Sequence, residues 1–315
     1  MLKGLTEMKD EMEQALLEDL GRDKFVTELC EIGMLQGSAK WDLKNVDWMA
    51  ADRPEQTELI FQPGQAITHY EPLGVCGIFG TWNYPYTVCF KPLIQCITSG
   101  NCAILKPSEM APASSAVMKK FVDKYLDNDA FQVVEGAVEV AVALNKLKVD
   151  LFCFTGSTQV GKIVAQQAAK NMVPCIMELG GKCPAVINHD ANMDATVAKI
   201  CFGRFNNSGQ TCIAPDYVLC HYKVINEFVE KLQKKALAMY GNSKEGSPEM
   251  GKMINEFHAK RVQDLIKTAG GQVAFGGNVN VEAKYCEPTV IMEPEKTADI
   301  MTQEIFGPIL PVYPI

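Results

Sequence analysis

The chain has 315 residues, 47% hydrophobic and 22% charged, with a formal net charge of -8. That length buries a sizeable core and suits two domains rather than one, and the composition excludes extended disorder. The acidic balance speaks against binding nucleic acid or an anionic membrane surface, although a nucleotide cofactor needs only a local anion site.

In chain order, the first 50 residues read as helix, with Met8, Met12, Leu16 and Leu17 recurring on one face. Trp41 and Trp48, seven apart, are expected in core packing. From Thr57 to Tyr70, short extended runs broken by Pro63-Gly64 predict a β-hairpin. Strand and helix then alternate. Strands are expected at Gly74–Phe79, Asn101–Leu105, Phe131–Val134 and Leu151–Phe154. The helix carrying Val117, Phe121 and Tyr125 is expected to be capped by Ser108. This alternation implies a doubly wound parallel sheet. After Glu178-Leu179-Gly180-Gly181-Lys182 it restarts: strand at Pro184–Ile187, helix at Ala191–Phe205, strand at Asp216–Cys220. A helix then runs over Val224–Tyr240 with Phe228, Leu232 and Leu237 inward, ended by Gly241-Asn242-Ser243. A further helix near Asn255–Ala269 and strands around Val273 and Val290 complete a second α/β domain. The domains expected are 1–177, comprising N-terminal helices, hairpin and first sheet, and 178–315.

There are 12 cysteines, none in a Cys-x-x-Cys, and most lie in apolar runs such as that around Cys153. That suits a reducing compartment, and a cytoplasmic protein is expected. The four histidines stand at no metal-ligand spacing, so no metal site is expected. The opening residues do not read as a signal peptide, and no apolar run approaches the roughly 18 residues of a membrane span.

One cysteine differs in its setting. In Asn206-Asn207-Ser208-Gly209-Gln210-Thr211-Cys212-Ile213-Ala214-Pro215-Asp216, a helix runs into a glycine and a proline follows, which puts Cys212 on a turn. A thiolate there attacks an electrophilic carbonyl, its own N–H helping to hold the oxyanion; the competing reading is a small buried hydrophobe. Four further segments end on strand rims or turns. Phe154-Thr155-Gly156-Ser157-Thr158-Gln159-Val160-Gly161-Lys162 runs from strand to helix. Gly156 permits the turn, Ser157 caps the helix and Gly161 lets it pack, so the helix N-terminus is either a phosphate site or an ordinary capped turn. Lys106-Pro107-Ser108-Glu109, on the same rim, suits ribose hydroxyls or a solvated loop. In Trp82-Asn83-Tyr84-Pro85, Asn83 is either a neutral donor to an oxyanion or a turn asparagine. Glu178 ends the apolar run Pro174–Met177; a carboxylate so placed acts as a general base near neutrality, unless it pairs with Lys182. Glu304-Ile305-Phe306-Gly307-Pro308 reads as a loop over a ligand or a strand-entry turn.

Taken in order, these segments closely resemble the aldehyde dehydrogenase superfamily from about Pro72 to Val312, and Thr211–Tyr217 with Trp82–Pro85 are similar to its class 3 and fatty aldehyde dehydrogenase branch. The resemblance implies a Rossmann-like cofactor domain, a second α/β catalytic domain that is incomplete here, and a small bridging hairpin. It implies NAD(P)-dependent oxidation of an aliphatic or aromatic aldehyde to the acid. Cys212 then matches the nucleophile that forms a thiohemiacetal and, after hydride transfer, a thioester. Asn83 matches the oxyanion donor and Glu178 the base that activates water. Lys106 and Glu109 match positions near the adenosine ribose. Gly156, Ser157 and Gly161 match the pyrophosphate segment, and Glu304 and Phe306 the nicotinamide ribose region. The cofactor implied is NAD, with NADP possible, since a carboxylate at Glu109 leans toward NAD. Family members continue beyond Ile315 with the rest of the catalytic domain and a strand that pairs with a partner. A fragment is therefore expected, forming a homodimer only in longer form, with any hydrophobic tail anchor outside this chain. The alternatives are a truncated, catalytically impaired homologue or an acylating, coenzyme A-dependent semialdehyde dehydrogenase.

Overall fold

Met8, Met12 and Leu16 recur every fourth residue because that spacing returns to one helix face, and all three are fully buried. In the computed structural model, which describes residues 1–241, 247 and 249–315, they lie on α1 (Leu2–Glu7), whose C-terminal neighbour is Met8, and on α2 (Lys9–Leu20). Leu17, expected on the same face, is 47% exposed. α3 (Lys24–Thr27) and a π-helical turn at Glu28–Ile32 lead into α4 (Gly33–Ala50). α4 buries Leu35 and Ala39, whereas Trp41 and Trp48 are 55% and 64% exposed, contrary to their expected core placement. At 100° per residue they fall about 200° and 180° from Ala39, the far face of the helix. Trp48 and Tyr70 instead each lie 5.3 Å from the Arg53 guanidinium, at cation–π distance.

The chain forms two compact units: Met1–Met12 with Glu28–Glu178, and Glu13–Thr27 with Leu179–Ile315. In the first, β1 (Arg53–Glu55) pairs antiparallel with β2 (Ala66–Thr68). This is the expected hairpin, but its first strand precedes Thr57, because the Thr57 hydroxyl accepts from Ala66 N–H at 2.9 Å and so belongs to the loop. The five-stranded sheet that follows runs β5-β4-β3-β6-β7, from β3 (Val75–Phe79), β4 (Cys102–Lys106), β5 (Phe131–Val133), β6 (Leu151–Gly156) and β7 (Cys175–Leu179). The β3–β4, β4–β5 and β3–β6 pairs are parallel. α5 (Pro85–Thr98), α6 (Pro112–Tyr125), α7 (Val138–Asn145) and α8 (Thr158–Ala169) connect the strands. Phe79, Phe152 and Phe154 fill the core beside Val164 and Ala168. The strand order reverses between β3 and β6, the switch point where an open α/β sheet leaves a crevice at its carboxyl edge. Ser108 does not cap α6: with Pro112 at its start the helix begins four residues later, and the Ser108 hydroxyl accepts from Met110 N–H at 3.3 Å within the preceding turn.

In the second unit, β8 (Cys183–Ile187) leads to α9 (Met193–Phe205), capped by the Asn192 side-chain oxygen accepting from Ala195 N–H at 3.1 Å. β9 (Pro215–Cys220), α10 (Ile225–Tyr240) and α11 (Glu256–Thr268) follow, and Asn255 caps α11. β10 (Gln272–Phe275), the small pair β11 (Val279–Asn280) and β12 (Tyr285–Cys286), β13 (Thr289–Met292), α12 (Asp299–Thr302) and β14 (Ile309–Pro314) complete it. The sheet order is β10-β13-β14-β9-β8, parallel except for β10 against β13. α10 packs through Phe228, Leu232, Ala236 and Tyr240, each fully buried aromatic or leucine side chain contributing about 1.5–3 kcal/mol. Leu237, one position off that stripe, is 46% exposed instead of inward. Gly241 ends the helix at φ +70°; Asn242 and Ser243 lie outside the described residues.

None of the 12 cysteines is in a disulfide. Among the described residues, no group of His, Cys, Asp and Glu is placed to hold a metal, and no helix is long and apolar enough to cross a membrane.

Candidate functional site

The first unit gathers its candidate residues on the carboxyl edge of the sheet. β3 ends at Phe79, and four residues later Asn83 lies buried ahead of α5, its side-chain oxygen accepting from the Thr81 hydroxyl at 2.6 Å. That bond fixes which end of the amide is engaged. At the N-terminus of α5, the fully buried Glu31 carboxylate accepts from Thr87 N–H at 2.9 Å, satisfying one of the helix's orphan donors. Next along the sheet, β4 ends at Lys106, which is buried. Its ammonium donates to the Pro107 carbonyl at 2.9 Å and to Glu109 Oε2 at 3.0 Å. Partial burial would push the Glu109 carboxyl up, but its own backbone N–H and the Lys106 ammonium outweigh this and hold it below the usual range.

On the other side of the switch point, β6 ends at Gly156, where a Cβ would meet the Phe154 ring at 2.6 Å. Ser157 then caps α8, its hydroxyl accepting from Val160 N–H at 3.3 Å, while Gly161 is buried on α8. The remaining N–H groups of the first turn have no intrahelical acceptor, which is what an anion site at a helix N-terminus requires. Glu178 lies on β7, an edge strand of this sheet, and is exposed. The apolar run before it does not enclose it, since Ile176 and Leu179 are exposed as well. Nor does Lys182 pair with it, because the Lys182 ammonium is taken by Asp216 and by the Ile300 carbonyl at 2.8 Å.

The second unit holds Cys212. α9 ends at Phe205, and Asn207, Ser208 and Gly209 follow with φ of +55°, +52° and +69°. Three successive left-handed residues are costly, two of them carrying side chains, and persist only where the surroundings hold them. Here they do. Asn207, Ser208 and Gln210 are fully buried. The Asn207 side-chain oxygen accepts from Arg22 Nε at 3.3 Å, and Ser208 N–H and hydroxyl donate to the Met250 and Gly251 carbonyls at 2.9 and 3.0 Å. Gln210 donates to the Lys252 carbonyl and accepts from Ile254 N–H, each at 2.9 Å. Thr211 and Ala214 close a turn by a 3.1 Å backbone bond, and Cys212 stands on it, exposed. The thiol of Cys183, at the start of β8, donates to the Cys212 carbonyl at 3.6 Å.

Glu304 to Pro308 packs on this loop. Gly209 meets the Gly307 carbonyl group, so closely that a Cβ there would lie 2.8 Å from Pro308 N. Asp216, directly after Pro215, is buried and accepts from Arg204 Nη1 at 3.1 Å and from Ile305 N–H at 3.2 Å, with Lys182 on its other oxygen. Arg204, equally buried, also donates to the Pro215 and Gly307 carbonyls. Burial pulls the Arg204 pKa below the ordinary arginine value, and Asp216 opposes that. Phe306 adopts φ +44°, its carbonyl accepting from Arg261 Nη2 at 3.0 Å. Burial, and then Asp216, push the Glu304 carboxyl above the usual range, and Glu304 Oε1 has no hydrogen-bond partner among the described residues. An orphaned carboxylate oxygen of this kind suits ligand hydroxyls. In the first unit, the capped helix N-terminus at Ser157 and the buried Lys106 suit an anionic ligand bearing hydroxyls, such as a nucleotide; in the second, the unsatisfied Glu304 oxygen suits a hydroxyl donor.

Sequence reasoning missed Arg22, Arg204 and Asp216 as supports, although a charged residue inside an apolar stretch, such as Arg204 in Cys201-Phe202-Gly203-Arg204-Phe205, signals a buried pair. Thr81 and Gln210 carried no such signal.

Comparison with known proteins gives a consistent picture. The family model described as the aldehyde dehydrogenase family matches residues 2–315. Mouse aldehyde dehydrogenase family 3 member A2 is 37% identical over 99% of this chain, which spans 65% of that relative's length. The 4,4'-diaponeurosporen-aldehyde dehydrogenase of Staphylococcus aureus is 37% identical over 98% of the chain and 68% of its own length. Among solved structures, the substrate-bound state of Staphylococcus aureus AldH matches at TM-score 0.96 and 36% identity, covering 100% of this chain and 69% of that one. A Mycobacterium tuberculosis aldehyde dehydrogenase complexed with NAD+ matches at TM-score 0.89 and 27% identity, covering 100% and 66%.

Proposed function

The chain belongs to the aldehyde dehydrogenase family, and we propose that its protein oxidises an apolar aldehyde to the carboxylic acid with NAD(P), Cys212 being the nucleophile. One observation carries this reading: Cys212 stands exposed on a turn whose backbone is fixed from behind by buried polar side chains. A nucleophile held so has little freedom to lose on reaching the carbonyl. Its thiolate adds to the aldehyde carbon, and the oxygen of the resulting thiohemiacetal takes a hydrogen bond from the Cys212 N–H and from the Asn83 amide. Bound NAD(P) supplies the hydride acceptor. Lys106, Glu109, Gly156, Ser157, Gly161, Glu304 and Phe306 are the residues that would hold it. Glu178 then takes a proton from the water that cleaves the thioester, and its exposed carboxylate is accessible to that water.

The named relatives support an apolar substrate and either dinucleotide. One acts on a 4,4'-diaponeurosporen aldehyde, a dog relative is a dimeric NADP-preferring enzyme, and one structure holds NAD+. Glu109, held ionised beside Lys106, favours NAD over a cofactor with a 2′-phosphate. A homodimer and a cytoplasmic site complete the proposal, the latter supported by cysteines outside any disulfide.

The test is NADH and NADPH formation by the purified chain with a medium-chain aldehyde, beside Cys212→Ala, with cofactor binding followed by fluorescence. The expected outcome is turnover in the parent chain only, with NAD affinity of the variant kept within about threefold. Turnover in the variant, or none in the parent, overturns the proposal.

A further inference from the structure

The Cys183 thiol lies 3.6 Å from the carbonyl oxygen of Cys212, close enough to donate to it. Cys183 opens β8, and Cys212 stands three residues before β9, the strand parallel to it, whose Pro215 is the register partner of Cys183. Two thiols are therefore tied to one short backbone span by the strand pairing. They differ in setting. Cys212 is exposed and meets solvent oxidants, whereas Cys183 is half-buried. Burial first, then the Asp216 and Glu304 carboxylates, push the Cys183 thiol up, while Arg204 and Lys182 oppose this. Of the two, Cys212 is the one that reacts first, with Cys183 held as thiol beside it. The other cysteines of this unit lack such access: Cys201, Cys220 and Cys286 are fully buried.

We propose that Cys183 and Cys212 form a hydroperoxide-responsive dithiol, in which Cys183 closes a reversible disulfide on Cys212 and so keeps it from irreversible oxidation. In the first step the Cys212 thiolate attacks the outer peroxide oxygen; the S–O bond forms, the O–O bond breaks, and water or an alcohol leaves with the electron pair. Cys212, oxidised by two electrons, is now a sulfenic acid. In the second step the Cys183 sulfur attacks the sulfenic sulfur, the S–S bond forms, and the S–O bond breaks with loss of water. The net change converts two thiols and one hydroperoxide into a disulfide, an alcohol or water, and water. Without Cys183, further peroxide carries the sulfenic acid to sulfinic acid, which ordinary thiols do not reverse.

The test uses hydrogen peroxide on the purified chain, followed by alkylation and non-reducing peptide mass spectrometry. Its readout is covalent, so it stands or falls separately from the dehydrogenase reading. The expected result is a peptide pair linked through Cys183 and Cys212, lighter by two hydrogens and separated by dithiothreitol. In Cys183→Ser and Cys183→Ala that link is lost and Cys212 sulfinic acid accumulates; in Cys212→Ser, Cys183 stays reduced. The wild-type link needs no variant, so a variant that fails to fold does not obscure it. The proposal is overturned by Cys212 sulfinic acid forming equally in wild type and both Cys183 variants, by a link from Cys212 to Cys220 or another cysteine instead, or by peroxide leaving Cys212 unoxidised.

Discussion

On the rim of the first sheet, the candidate binding side chains are held by neighbours close in sequence, Thr81 to Asn83 at a separation of 2 and Lys106 to Glu109 and Val160 to Ser157 at 3, while Glu31 on Thr87 N–H, 56 apart, is a more distant support of the α5 start. Around Cys212 the fixing contacts run the other way. Gln210 reaches Lys252 and Ile254 at separations of 42 and 44, Asp216 reaches Ile305 at 89, Arg204 reaches Gly307 at 103, and Arg22 reaches Asn207 at 185. A βα turn needs only its own residues to present N–H groups, because the helix N-terminus supplies them wherever a helix begins. A left-handed run ending in an exposed cysteine has no local source of stability and must be held by the rest of its unit. Binding groups can thus sit on self-sufficient turns, while the candidate nucleophile depends on a whole unit.

The widest gap between the two regions should appear in Asp216→Ala. It leaves the Arg204 guanidinium buried and uncompensated, and the expected loss is about 3–5 kcal/mol in urea unfolding. A loss below about 1 kcal/mol, the value of a surface pair, would break the comparison at its strongest point. Gly209→Ala comes next, since it sets a Cβ against the Gly307 and Pro308 backbone at φ +69°. The expected cost is about 1–3 kcal/mol, with amide hydrogen exchange quickening around Gln210 and Ile254. Unchanged exchange there would show that the loop is not held from behind. The smallest effect is expected from Ser157→Ala, which removes a cap worth about 1 kcal/mol and should loosen only the first turn of α8. Were it to cost as much as Gly209→Ala, the rim would not be the self-sufficient region.

Much of this was legible in the sequence. Val75–Phe79, Cys102–Lys106 and Leu151–Gly156 are short apolar runs between helical repeats, and only a parallel sheet with covering helices buries such runs. Ser157 caps α8 as its position suggested, since capping depends on residues three apart. The resemblance of five ordered motifs pointed to the family that the comparisons found. Where readings failed, the misjudged feature was the helix face or the helix start. Trp41, Trp48 and Leu237 are apolar but fall off the stripe their helices bury. Ser108 lost its cap to a helix that begins at Pro112.

By itself, then, the sequence determined the main helices and most strands, though not β7 or β14, their α/β alternation, the turn that carries Ser157 and the family, because each of these follows from side-chain periodicity and from groups within a few residues of one another. Tertiary structure alone decided that Arg22, Arg204, Asp216 and Gln210 hold the Cys212 loop, that Glu304 keeps an unsatisfied oxygen, that Glu178 is exposed on an edge strand and that Cys183 lies against Cys212. Buried polar groups must find partners wherever the fold brings them, and the chain separation between those partners leaves no pattern to read.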